Sequence, residues 1–94
     1  MKFEWDENKE KTNFIKYGID FRTAALVFCD DFRIETFDEA HSNFEEDRYI
    51  TIGMIHGTIT VIMVVYTERA DTIRIISARI ATKREREAYY HGQI

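Results

Sequence analysis

The sequence predicts an α+β domain: a largely antiparallel sheet, two N-terminal helices against one of its faces, and a C-terminal helix at its edge. Three observations predict it. Ile59 to Tyr66 is an unbroken β-branched and apolar run without polar alternation, the pattern of a central strand covered on both faces. After Thr67-Glu68-Arg69-Ala70 and Asp71, read as a polar loop, a second β-branched run extends from Thr72 to Ile80. The chain then turns at once into Thr82-Lys83-Arg84-Glu85, a capping box in which Thr82 opens a helix and Glu85 reciprocates. Connections this short favour antiparallel pairing.

The remaining elements follow in order. Lys2-Phe3-Glu4-Trp5 alternates polar and apolar as a short strand does. Asp6 offers an N-cap, Glu7 and Glu10 suit a first helical turn, Lys11 and Lys16 suit its later part, and Gly18 supplies the stop, so a first helix spans about 6 to 17. Asp20 caps a short second helix through Phe28, whose Ala24 and Ala25 allow close approach to a sheet. Asp30-Asp31 marks a turn. Phe32 to Phe37 reads as a strand with Phe32, Ile34 and Thr36 on one face. The polar stretch Asp38 to Asp47 is the longest loop, Arg48 to Ile55 the next strand, and His56-Gly57 the turn into the central strand.

Composition limits the functional classes. A chain of 94 residues, with 45% apolar and 32% charged residues, no Pro and 4 Gly, is read as one globular domain over 1–94. One cysteine, Cys29, excludes an internal disulfide, and the N-terminus lacks an apolar signal segment, so a cytoplasmic location is expected. The apolar runs are far shorter than the ~20 residues that span a bilayer, and no membrane association is expected. Charge is uneven: residues 1–50 hold 7 Lys and Arg against 13 Asp and Glu, and residues 51–94 hold 6 against 4. The basic half is therefore the one that contains the two long β runs, where a local patch can engage phosphate despite the overall charge of −4.

An ordered series of motifs runs along nearly the whole chain: Phe3-Glu4-Trp5-Asp6, Asn13, Lys16-Tyr17-Gly18-Ile19-Asp20-Phe21, His41-Ser42, Glu45-Glu46-Asp47-Arg48-Tyr49, Ile52-Gly53, Thr67-Glu68-Arg69, and Ile75-Ile76-Ser77-Ala78-Arg79 with Ala81-Thr82-Lys83-Arg84-Glu85-Arg86. In this series the chain resembles the BrnT family. The resemblance implies a RelE-like fold, ribonuclease toxin activity in a type II toxin–antitoxin pair, and neutralisation by BrnA, a ribbon-helix-helix antitoxin. Tyr17, Tyr66 and Ile80 stand where the family usually carries other residues.

Ribonuclease chemistry without a metal needs a base for the 2′-OH, an acid for the leaving oxygen, and cations where charge accumulates. Arg69 and Arg79 are the first candidates for phosphate clamps, because a planar guanidinium matches phosphate oxygens. The bland reading of Arg79 is a tie to Glu85 or Glu68. Glu68 is a candidate base or a residue that orients an arginine. Tyr66 is a candidate proton donor or stacking platform, or simply core. His41, among the carboxylates of its loop, is a candidate acid, or a plain surface histidine. Arg74, within a strand pattern, is a candidate RNA-binding residue and should reach a carboxylate, an exposed sheet face or a bound anion. Lys83, Arg86 and Tyr90 share one helix face and form a candidate RNA-binding edge, or a solvated one.

No cofactor is expected, and the His, Cys and carboxylate spacings match no metal-ligand pattern. The expected partners are RNA and a BrnA-like antitoxin laid across Arg69, Arg79 and Lys83; a homodimer and a toxin–antitoxin hetero-oligomer are both compatible. Two other classes compete with the ribonuclease. One is a non-catalytic protein-binding module. The other, a DNA-binding regulator, is disfavoured by the acidic charge and the lack of a helix-turn-helix or ribbon pattern.

Overall fold

The two long β runs pair with each other. In the computed structural model, which describes residues 1–92, they form β4 (Val61–Arg69) and β5 (Thr72–Ile80), joined by a two-residue turn at Ala70-Asp71. The expected loop Thr67-Glu68-Arg69 is therefore strand: its backbone pairs with Thr72, Ile73 and Arg74, and those partners outweigh the polar side chains. The tightness of this turn forces Ala70 to a φ of 55°, in the left-handed region. At the other end β4 starts later than expected, and Ile59 lies outside it, 88% exposed.

Around this hairpin stand β1 (Lys2–Glu4), β2 (Ile34–Phe37) and β3 (Tyr49–Met54), in the order β1-β5-β4-β3-β2. Three of the four pairings are antiparallel, and β1 joins β5 in parallel, so the sheet is mixed and β4 is its middle strand. Both faces of β4 are covered, as its apolar run requires. Ile62, Val64 and Tyr66 enter a core with Phe21, Ala24, Val27, Ile73, Ile75 and Ala78, whereas Val61 and Met63 enter another with Ile52 and Ala81.

Helix α1 (Glu7–Tyr17) begins at Asp6, whose Oδ1 accepts from the N–H groups of Asn8 and Lys9, and ends at Gly18 with φ 74°. Its buried Asn13 donates to the carbonyls of Ile19 and Ala78 and accepts from the Ala78 N–H, thereby supplying the edge of β5 with the partners a further strand would give. The expected second helix divides into α2 (Phe21–Ala25), capped by Asp20, and a 3₁₀ turn over Leu26–Cys29. Val27 in that turn leaves room for no side chain at Gly53 of β3, where a Cβ would lie 2.6 Å from its Cγ2. A second 3₁₀ turn, Glu39–His41, interrupts the long polar loop, and α3 (Lys83–His91) closes the order. No helix among the described residues is long and apolar enough to cross a membrane.

Candidate active site

Strand register decides which side chains share a surface. Ile73, Ile75 and Ala78 of β5 point into the core beneath α1 and α2, so Arg74 and Arg79 project from the opposite face. Cross-strand pairing agrees, with Arg79 opposite Met63 of the second core. Ile76 has no partner in the register, since Val65 pairs with Ser77 and Tyr66 with Ile75, and this bulge resets the alternation between Arg74 and Arg79. Arg69 lies on the same face, two residues beyond Thr67, which pairs with Arg74. Arg48, two residues before Ile50, completes a set of four arginines.

Arg79 is the most tightly held. Its Nη1 donates to Glu85 Oε1 at 2.8 Å and its Nη2 to Glu85 Oε2 at 3.0 Å, a two-point fork, and Nη1 also reaches the Ile80 carbonyl at 3.2 Å. Nε has no partner among the described residues. The capping box fixes Glu85 in turn: Oε1 accepts from the Thr82 N–H at 2.8 Å, and the Glu85 N–H donates to Thr82 Oγ1 at 3.2 Å. Burial pushes the Glu85 carboxyl up, but hydrogen bonds from Arg79 and Thr82 outweigh it and leave it below the usual carboxylate value. The same fork, more than burial opposes it, raises the Arg79 guanidinium further above its ordinary range.

The other three arginines also meet carboxylates. Arg74 Nη1 donates to Glu4 Oε2 at 2.8 Å, a contact across the β1–β5 pair. Glu46 serves two of them, accepting from Arg48 Nε at 3.0 Å and from Arg69 Nη2 at 3.4 Å, and the Arg48 bond is the chief reason its carboxyl sits below its usual value. Arg69 borders a polar cleft of about 420 Å³ with Glu45, Glu46, Asp47, Tyr49, Thr67, Glu68 and Ala70. That cleft is ringed by carboxylates, so Arg69 sits in a far more acidic setting than Arg79. Glu68 is exposed beside it, with no ion pair among the described residues.

Other sequence candidates are placed apart from this arrangement. Tyr66 lies where the core alternative puts it: it is 1% exposed, stacked on Tyr49 at 5.7 Å and met edge-on by Phe28 at 5.0 Å, because it shares the inward face with Ile62 and Val64. It presents no edge to a nucleic acid. His41 lies in its 3₁₀ turn with Nδ1 3.0 Å from Asp38 Oδ2, and among the described residues it has no hydrogen bond to any of the four arginines. On α3, Lys83 is exposed, Arg86 Nη1 donates to the Ala81 carbonyl at 2.9 Å, and Tyr90 is 62% exposed.

Sequence reading passed over Arg48 and Glu46. Alternation within Arg48 to Ile52 puts Arg48 on the face of Ile50, and that was the signal available for it. Glu46 carries no such signal, because its link to Arg69 depends on how a loop returns to the sheet.

Compared with known protein families, residues 5–85 match the model described as the ribonuclease toxin, BrnT, of type II toxin–antitoxin systems. The matched segment contains Arg69, Arg74, Arg79 and Glu85 and stops before Arg86 and Tyr90. No curated protein gives a significant match.

Proposed function

The chain belongs to the BrnT family of ribonuclease toxins of type II toxin–antitoxin systems, and from that premise we propose that it is itself an endoribonuclease that arrests translation, acting in the cytoplasm as one domain over 1–94. Type II membership implies an antitoxin protein as partner. The observation that carries the catalytic reading is the Arg79 fork: Glu85 occupies its Nη1–Nη2 edge and the Nε–Nη2 edge is left for the two oxygens of a phosphodiester.

In this mechanism the 2′-OH attacks the adjacent phosphorus, the 5′-oxygen leaves, and Arg79 stabilises the charge that builds on the phosphoryl oxygens. Lys83, Arg86 and Tyr90 continue from Arg79 along α3, where they guide the strand and stack on a base. Arg74 and Arg69 engage phosphate only by exchange with Glu4 and Glu46. Glu68 faces Ile73, five residues along β4 from the Met63 that faces Arg79, and His41 lies in its own 3₁₀ turn. Water therefore takes the 2′-OH proton and returns one to the leaving 5′-oxygen at Arg79, and Tyr66 has no part. No metal takes part in the reaction. A BrnA-like ribbon-helix-helix antitoxin neutralises the toxin by covering Arg69, Arg79 and Lys83 with acidic or apolar segments.

The test is RNA cleavage by the purified chain. Arg79→Ala is expected to lower it by about 10² to 10³, as when one preorganised donor is removed. Cleavage by the parent is expected to persist in EDTA. A strict need for a divalent ion would overturn the metal-free mechanism, and full activity of the Arg79 variant would overturn the role of that residue. A second reading has one observation in its favour: all four sheet arginines already hold carboxylates, as they would in a binding module without chemistry. An intact parent that binds an antitoxin and leaves every RNA uncut would establish that reading instead.

A further inference from the structure

A guanidinium on a flexible stem is a poor catalyst unless something aims it. Arg79 lies near the end of β5, where four rotatable bonds separate its Nε from Cα, and its side chain is 29% exposed. Two features restrain it. The fork to Glu85 fixes the orientation of the guanidinium plane, and the Nη1 bond to the Ile80 carbonyl ties the same edge to the backbone. Glu85 is able to do this because its own carboxylate is held by the first turn of α3.

We propose that Glu85 is a positioning residue: it fixes the Arg79 guanidinium by one edge so that the other is presented to the phosphodiester. This rests on the ribonuclease reading above. The opposing expectation is a definite one. Glu85 carries a negative charge next to the place where a phosphate would sit, so if charge were all that mattered its removal would help RNA to bind and to react. Positioning gives a different signature, because an aimed donor counts most in the transition state.

Glu85→Gln separates the roles. Glutamine also serves at the third position of a capping box, so the start of α3 survives. Its amide nitrogen, however, places a donor against a donor of Arg79 and breaks the two-point fork. Tyr89→Phe does the reverse, loosening α3 from Asp30 at its far end while leaving the capping box and the fork in place.

The expected result for Glu85→Gln is a melting temperature close to that of the parent, a kcat lower by about 10²-fold, and a KM unchanged or lower. Tyr89→Phe is expected to melt earlier and keep its kcat at temperatures where it is folded. Equal losses of kcat in both variants, or an unchanged kcat in Glu85→Gln, would overturn the proposal. An arm independent of cleavage uses a 2′-O-methyl RNA oligonucleotide, which cannot be cut, and the Arg79 Nε–H resonance in ¹⁵N-labelled protein. That resonance is expected to shift on titration in the parent and to shift less in Glu85→Gln. Its failure to move in the parent would overturn the positioning role, whereas a shift in a parent that cuts no RNA would sink the ribonuclease reading alone.

Discussion

Asp30 gathers three donors from three parts of the chain: its Oδ2 accepts from the Met54 N–H at 2.8 Å and from Tyr89 Oη at 2.6 Å, and its Oδ1 from the Phe32 N–H at 2.9 Å. One carboxylate thus fastens α3 to β3 across the second core. Burial raises the Asp30 carboxyl, the three hydrogen bonds more than offset it, and it lies below its usual value. The phenol responds in the opposite direction: burial first, then the bond to Asp30, pushes Tyr89 up to about 12. A group with a raised folded-state pKa stabilises fully below its ordinary value, about 10 for tyrosine, and that contribution fades as pH rises through the folded value. The difference in tyrosinate absorbance between the parent and Tyr89→Phe is therefore expected to centre near pH 12. A difference centred near 10 would mean that the bond is not formed in solution. Tyr89→Phe is expected to cost about 1–2 kcal/mol, since a charged acceptor loses one of its donors.

Among the elements, the join between α1 and the sheet depends on one side chain. Asn13→Ala would leave the Ala78 N–H, the Ala78 carbonyl and the Ile19 carbonyl short of a partner inside the fold, and a loss of about 2–4 kcal/mol is expected in denaturant unfolding. Asn13→Asp should rescue little, because a carboxylate supplies no donor to the two carbonyls. A loss below about 0.5 kcal/mol would mean that water replaces these bonds freely. How far such elements can be read in advance depends on how local their causes are. Asp6, Gly18, Thr82 and Glu85 act within a turn of where they stand, so the limits of α1 and the start of α3 were legible, and Glu85 was one of the two partners, with Glu68, that the bland reading gave Arg79. The end of β4 was not, because Thr67, Glu68 and Arg69 have loop-like side chains and only the pairing with β5 makes them strand. Tyr66 was ambiguous for a related reason: an unbroken apolar run has no alternation to say which way a residue faces, and packing against Phe28 and Tyr49 decides it.

For the molecule as a whole, the second-core face of the sheet opposes four arginines to three glutamates, and beside it on α3 Lys83 and Arg86 form no ion pair among the described residues. RNA affinity should then depend on salt through few contacts. If Arg79, Lys83 and Arg86 are the phosphate partners, the slope of log affinity against log salt for single-stranded RNA is about −2, and it approaches about −4 if Arg48, Arg69 and Arg74 join them. Binding of the 2′-O-methyl oligonucleotide across a salt series distinguishes the two, and a slope near −4 would show that the pairs with Glu4 and Glu46 open readily.

The arginine–glutamate pairs have a further consequence, for the life of the molecule between encounters. A bare basic surface adsorbs to every polyanion it meets and spends most of its time sequestered. A face whose cations are already occupied by its own carboxylates has little to offer bulk RNA, so the pool of molecules at liberty stays close to the total, ready for a specific site or for a partner protein.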